Sequence, residues 1–252
     1  MLDKTPASPP LKRAPITSLA QYWSDETGRR RFVGQLFDRT ARHYDFVERL
    51  LGLGSGHWYR RQALRRAGLL RGMRVLDIAT GTGLVAREAL GIVGAEGSVI
   101  GLDPSARMLD EAGRLNIPLV RALGEGLPFR DAAFDFVSMG FALRHVADLS
   151  ALFAEIWRVL PPGGTACVLE ITRPRRNSLA TALRVFMTRV VPGVATLWGR
   201  RAQAAQLMQF YWDTIEACVP PAVVLGALDR AGFDSSRHEL MLEMFSAYFA
   251  KK

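Results

Sequence analysis

Arg74-Val-Leu-Asp-Ile-Ala-Thr-Gly-Thr-Gly83 is the stretch that decides the fold. Arg74–Ala79 is a short apolar run, too brief for a helix of its own. It ends in a Thr-Gly-Thr-Gly turn, and Leu84–Leu90 follows with helical spacing. The same alternation continues downstream. A strand is expected at Ser98–Leu102, a helix at Ser105–Leu115, a short strand at Leu119–Arg121 and a strand at Phe134–Met139. Helix Leu149–Leu160, the turn Pro161-Pro162-Gly163-Gly164 and strand Thr165–Ile171 complete the series. Strands alternating with helices predict a parallel sheet covered on both faces, and right-handed crossovers make it doubly wound. Helix Ala222–Ala231 stops at Gly232, and strands Ser236–Leu242 and Phe245–Ala250 lie close enough to form a hairpin. The expected class is therefore α/β, Rossmann-like and doubly wound. Its seven-stranded sheet is mostly parallel, with an antiparallel C-terminal strand.

Around this frame the chain divides into parts. Residues 1–20 are Pro-rich and are expected to form a flexible tail. Residues 21–70 carry helical periodicity, with a glycine-rich break at 52–56, and read as an N-terminal helical cap. Residues 71–252 form the core, interrupted by a long helical insert at 178–216. The 252 residues are 49% hydrophobic and 23% charged, which excludes a disordered chain. No apolar run approaches the roughly 20 residues of a membrane-spanning helix, and no N-terminal stretch reads as a signal peptide. Cys167 and Cys218 lack metal-ligand spacing and are read as reduced, buried thiols of a cytoplasmic protein, with no metal site. The net charge of +9 is uneven: 15 Lys/Arg against 6 Asp/Glu in residues 1–74, 7 against 12 in 75–170, and 11 against 6 in 171–252. Basic flanks around an acidic middle suit nucleic acid, an anionic membrane surface or a plain solvated surface.

The chemistry concentrates at strand ends. Gly81 and Gly83 allow positive φ and close backbone approach, and the following helix offers free N–H groups. Gly81-x-Gly83-x-x-Ala86 also fits a dinucleotide fingerprint. Asp103, 20 residues after Gly83, is placed to accept two ribose hydroxyls, a feature shared by NAD and S-adenosylmethionine (SAM). Asp77 separates the two: a carboxylate before the turn repels a pyrophosphate and favours an ammonium and a sulfonium.

From Phe37 to Phe233 the chain resembles the ubiquinone/menaquinone biosynthesis C-methyltransferases, within the class I SAM-dependent methyltransferases. The resemblance rests on FDRTARHYD (37–45), VLDIATGTG (75–83), GLDPSARML (101–109), GEGLPFRDAAFD (124–135), FALRHVAD (141–148), EIWRVLPPGG (155–164), VLEITRP (168–174) and LDRAGF (228–233). It implies SAM as methyl donor and S-adenosylhomocysteine (SAH) as product. The turn of Asp77, Ala79, Gly81 and Gly83 would hold the methionine part, and Asp103 the ribose. Met108 would lie against the adenine, Leu123 and Gly124 at its edge, and Gly140 beside the sulfonium. The chain departs from the family at Leu123, where a polar residue is usual, and at His145, which replaces an Asn. It departs again at Leu240–Met244. These changes bear on the substrate more than on the reaction.

The expected activity is methylation of a hydrophobic small molecule, foremost C-methylation of a quinone or hydroquinone precursor. A phenolic natural product or lipid headgroup is the alternative acceptor. An NAD-dependent oxidoreductase and a non-catalytic SAM-binding scaffold are the readings from other classes. Arg144 keeps its proton and is expected to stabilise a phenolate-like oxygen. His145 is expected to take the proton, and Tyr44 to border the acceptor. The stretch 171–212 holds seven Arg and no acid, interleaved with groups such as Phe186, Val190, Leu197 and Phe210. That composition suits a lid over a greasy substrate, a contact with the inner face of a membrane, a homodimer interface or plain packing. Gly140-Phe141-Ala142-Leu143 stands where amino-methylating enzymes carry Asn/Asp-Pro-Pro-aromatic, and nucleic acid is not expected as a partner.

Overall fold

In the computed structural model, which describes residues 19, 21–51, 54–199 and 201–252, the run from Arg74 starts as β1 (Arg74–Ile78). The turn leads into α3 (Leu84–Val93), after α1 (Glu26–Leu51) and α2 (Gly56–Arg66) of the cap. Then follow β2 (Ser98–Leu102), α4 (Ala106–Ala112), β3 (Leu119–Val120), β4 (Phe136–Gly140), α5 (Leu149–Val159) and β5 (Thr165–Ile171). The insert comprises α6 (Asn177–Val185), a π-helical turn (Phe186–Val190), α7 (Val191–Ala195) and α8 (Arg201–Glu216). The chain closes with α9 (Pro221–Ala231), β6 (Ser235–Met241) and β7 (Phe245–Lys251). Apart from Leu19, the 1–20 tail lies outside the described residues, as do residues 52–53 of the glycine-rich break.

One sheet joins all seven strands in the order β3-β2-β1-β4-β5-β7-β6. β7 runs antiparallel to both β5 and β6, so it alone opposes the other six. Alternation along the strands splits the interior in two. Val75, Phe136 and Cys167 face α2 and α3, whereas Leu76, Val137 and Val168 face α5 and α9. A third core lies away from the sheet, where Leu36 and Val47 of α1 meet Met187, Val191, Phe210 and Trp212 of the insert.

Three boundaries differ from the sequence reading for local reasons. β4 starts at Phe136 because Asp135 is engaged with Arg74: its Oδ2 accepts the Arg74 N–H at 2.9 Å and the Nε–H at 3.0 Å. Helix α4 begins after Ser105, whose hydroxyl accepts the Met108 N–H at 3.1 Å as an N-cap. The hairpin turns at Leu242 and Glu243, both left-handed with φ of 52° and 57°, which ends β6 at Met241. Cys167 is buried, but Cys218 is only partly so, which corrects the expectation of two buried thiols. Among the described residues, no helix is long and apolar enough to cross a membrane.

Candidate active site

Strand order reverses between β1 and β4, which leaves a crevice at the carboxyl ends of the parallel strands. A cavity of about 490 Å³ occupies it. The cavity is lined from the sheet side by Ala79, Gly81, Asp103, Met108, Leu123, Gly124 and Gly140–Ala142, and from the cap by Gly34, Phe37, Asp38 and Tyr44 of α1.

The turn after β1 is built from left-handed residues: Ala79, Gly81 and Gly83 have φ of 52°, 58° and 86°. Gly83 needs its glycine twice over, since a Cβ there would also collide with the Leu115 side chain. Ala79 has no such exemption and carries strain on the order of 1 kcal/mol at the cavity wall. Asp103 holds the turn in place. Its Oδ2 accepts the Gly81 N–H and its Oδ1 the Ser105 N–H, both at 2.8 Å. Each oxygen keeps a further acceptor position. Burial pushes the Asp103 carboxyl up to about 6. The Ser105 and Gly81 N–H bonds oppose the shift, and nearby Asp38 adds to it. A buried, doubly accepting carboxylate in a crevice walled by glycine backbone fits the ribose of an adenosyl group.

Nine of the twelve residues singled out from the sequence line the cavity: Tyr44, Ala79, Gly81, Asp103, Met108, Leu123, Gly124, Gly140 and His145. Gly83, Asp77 and Arg144 do not. Gly83 serves as N-cap of α3 behind the turn. Asp77 is wholly buried beneath it and accepts the hydroxyls of Thr80 and Ser138, each at 2.6 Å. Burial pushes its carboxyl up to about 6 as well, against those two bonds. Asp77 therefore secures the turn from below and offers no face to the cavity.

Arg144 is the larger correction. It was expected to present its cation to the acceptor, yet its side chain is 2% exposed and is paired with the fully buried Glu170 of β5. The Glu170 carboxylate also accepts the Arg144 N–H at 3.0 Å, and Arg144 Nε donates to Thr214 at 3.2 Å. The guanidinium lies 4.9 Å from the centre of the Tyr211 ring. Burial opposes its charge, but Glu170 together with Tyr211, Tyr44 and Cys218 outweighs that and keeps the cation protonated. Its neighbour His145 does reach the cavity, stacked on Phe210 at 5.4 Å and edge-on to Phe37 at 5.3 Å. Tyr44 lines the cavity too. Burial raises its phenol, with Tyr211 and Arg144 partly offsetting, so it stays a proton donor.

Sequence reading passed over the polar face of α1. Asp38 accepts the Ser105 hydroxyl at 2.6 Å, and Asp45 accepts the Thr82 hydroxyl at 2.5 Å. Arg29 donates to the His145 carbonyl. The cap is thus latched to the ends of β1, β2 and β4 at three points. Asp38 and Asp45, seven residues apart on one helix, fall on one face, and that spacing was the available signal. No described residue of the 178–216 insert lines the cavity. The covering helix is α1, and the insert braces it from behind.

A left-handed glycine turn after β1, an acid closing β2 and a sheet with one reversed strand define a class I SAM-dependent methyltransferase. A SAM-dependent methyltransferase of Thermotoga maritima has the same fold, with a TM-score of 0.60 at 20% identity over 86% of this chain and 99% of its own. Residues 24–247 match the ubiE/COQ5 methyltransferase family, and the chain belongs to it. It is 32% identical to the ubiquinone/menaquinone biosynthesis C-methyltransferase UbiE of Marinomonas sp. (strain MWYL1), over 82% of this chain and 84% of the relative. It is 34% identical to the demethylmenaquinone methyltransferase of Thermus thermophilus, over 82% and 94%.

The Arg144–Glu170 pair gives a stability prediction. Glu170→Gln leaves a buried cation without its counter-charge and is expected to cost about 3–5 kcal/mol. Arg144→Met combined with Glu170→Gln is expected to recover most of that loss. Urea unfolding of the wild type, both single variants and the double variant measures the coupling. A double variant whose loss is the sum of the two single losses would show that the two side chains do not act as a pair.

Proposed function

We propose that this methyltransferase transfers the methyl of SAM to a ring carbon of a demethylated quinone precursor in its reduced, hydroxylated form. The observation that carries the reading is a single cavity with two kinds of lining. Asp103 and Ser105 offer acceptors for a ribose, while Phe37, Phe141, Ala142 and Val146 offer an apolar wall for a ring and its tail. The names of both relatives above state an activity of this kind.

SAM supplies an electrophilic methyl group carried on a cationic sulfur. Asp103 would hold the ribose hydroxyls, and Met108, Leu123 and Gly124 would receive the adenine. The Ala79–Gly81 turn would take the methionine part, with Gly140 on the sulfonium side. His145, its ring clamped between Phe210 and Phe37, takes the hydroxyl proton of the acceptor. Loss of that proton makes the neighbouring ring carbon nucleophilic. Tyr44 donates a hydrogen bond to the resulting oxygen. Arg144 acts through position: it fixes the 143–146 turn that carries His145, because Glu170 binds both its side chain and its backbone N–H. The apolar wall excludes water, and the ring carbon that gains the methyl gives up its own hydrogen as a proton, which restores the aromatic ring.

The insert adds a surface reading. Val185, Val190 and Leu197 are 41%, 45% and 80% exposed, and Arg184 and Arg189 are exposed beside them. With seven Arg and no acid in 171–212, this face suits the anionic inner leaflet of a membrane, where a polyprenyl acceptor resides.

Three results are expected. First, SAM binding should weaken in acid. Asp103 must be ionised to accept two hydroxyls, and its folded value of about 6 lies above the ordinary 3.8. The free chain therefore gives up stability as pH rises through about 6, and SAM affinity is lost as pH falls through it, by up to about tenfold per unit. Calorimetry from pH 5 to 8 should show this. Asp103→Asn should bind about 10- to 100-fold more weakly at neutral pH, with the acid dependence flattened. Second, labelled SAM and a demethylated polyprenyl hydroquinone in detergent should give label in the ring, and His145→Ala should lower kcat by about 100-fold or more. An unlabelled quinone with SAM binding intact sinks the acceptor assignment. Third, the chain should co-sediment with phosphatidylglycerol vesicles and not with phosphatidylcholine. Val190→Glu with Leu197→Glu should cut the bound fraction about tenfold, and equal sedimentation with both lipids would exclude the membrane reading.

A further inference from the structure

Gly34 sits near the middle of α1, a 26-residue helix, where glycine is the poorest helix former after proline. The usual reasons for such a glycine are missing here. Its φ is not positive, so no left-handed backbone demands it. A Cβ built on it would meet nothing within 4 Å, so no neighbour presses against it. The contrast with Gly28 on the same helix is direct: a Cβ there would lie 3.2 Å from the Asp25 carboxylate, which accepts the Gly28 N–H at 2.6 Å. Gly91 of α3 has its own neighbour, the Arg61 guanidinium at 3.1 Å. What Gly34 does touch is the cavity, which it lines together with Val33 and Phe37 of the same helix and with Ala142 and Val146 of the loop after β4.

We infer that Gly34 is a specificity-determining residue for the methyl acceptor: the side chain it lacks leaves the room through which a bulky, planar hydroxylated ring lies under α1. The inference rests on the proposed division of the cavity between SAM and a phenolic acceptor, but not on the acceptor being a quinone precursor. The surroundings suit a flat ring that bears a hydroxyl, since apolar side chains share this part of the cavity with Arg30 and Arg31 of α1. Val33, Phe37, Ala142 and Val146 present carbon surface, and the ring of His145 stacks on Phe210 and meets Phe37 edge-on. The helix gives up intrinsic stability at this position, and the cavity gains width in return.

The test separates space from structure. Gly34→Ala and Gly34→Leu both improve helix propensity and, with nothing within reach of the new Cβ, should unfold at a temperature at or above that of the wild type, by about 2–4 °C for alanine. The SAM Kd of both variants should stay within about twofold of the wild type. Binding of 2-naphthol to the SAH-saturated protein, followed by calorimetry, should weaken at least about tenfold in Gly34→Leu and less in Gly34→Ala. Where a hydroquinone is turned over, its KM should rise in the same order with kcat less affected. Three outcomes overturn the inference: wild-type protein with SAH that does not bind 2-naphthol, Gly34→Leu that binds it as tightly as wild type, or a parallel loss of SAM affinity that places Gly34 on the cofactor side. A chain that fails to methylate any hydroquinone yet binds 2-naphthol, and loses that binding in Gly34→Leu, upholds the inference while ending the quinone reading.

Discussion

Two backbone N–H groups converge on the carboxylate of Asp103, and most of the site is arranged around them. One comes from Gly81 in the turn after β1, the other from Ser105 at the start of α4. The bonds tie the ends of two adjacent strands into one rigid rim. Ser105 then passes the constraint outward, since its hydroxyl donates to Asp38 and so docks the cap helix. Asp77 works from beneath the turn, through Thr80 and Ser138. Neither acid is comfortable as an anion in its buried place. The rim is held together by groups that would be better solvated in the unfolded chain, a common arrangement where a site is kept ready for a charged ligand.

Strain has the same address. Ala79 and Phe141 are both left-handed without being glycine, and both line the cavity. Phe141 is held by its N–H, which donates to the Leu169 carbonyl at 2.7 Å, and its ring lies near Tyr59 and the Arg60 guanidinium. Backbone of this kind persists where surroundings over-determine it. Here the surroundings are the two central strands and α2 of the cap.

Most of the sheet was readable in the sequence because β1, β2, β4 and β5 are buried on both faces, so each appears as a short apolar run between turn signals. Cavity-lining residues at strand ends were readable for the same reason, as Gly81, Asp103 and Gly140 follow those runs directly. Side-chain direction was not. Arg144 stands in a loop segment that reads as an acceptor contact, but its partner Glu170 lies 26 residues away on another strand, and only the assembled sheet brings them together. Asp77 looks like a ligand group in the sequence, and the pleat turns it inward. The polar face of α1 was missed because helical periodicity marks the side that is buried and is silent about which polar side meets another element. The insert's aromatic residues suit a lid, an interface or plain packing equally well in the sequence. Phe210, Tyr211 and Trp212 turn out to be consumed in the core behind α1.

The three latches of α1, at Asp38, Asp45 and Arg29, couple the cap to the rim. Asp38 and Asp103 share one neighbourhood, so any free energy by which the docked helix favours a ligand at Asp103 is returned in full by that ligand to the docking of the helix. The pocket that faces Gly34 and Phe37 has its far wall only while that helix is down. Wall and rim are therefore one mechanical unit, and whatever tightens the rim also steadies the wall across from it.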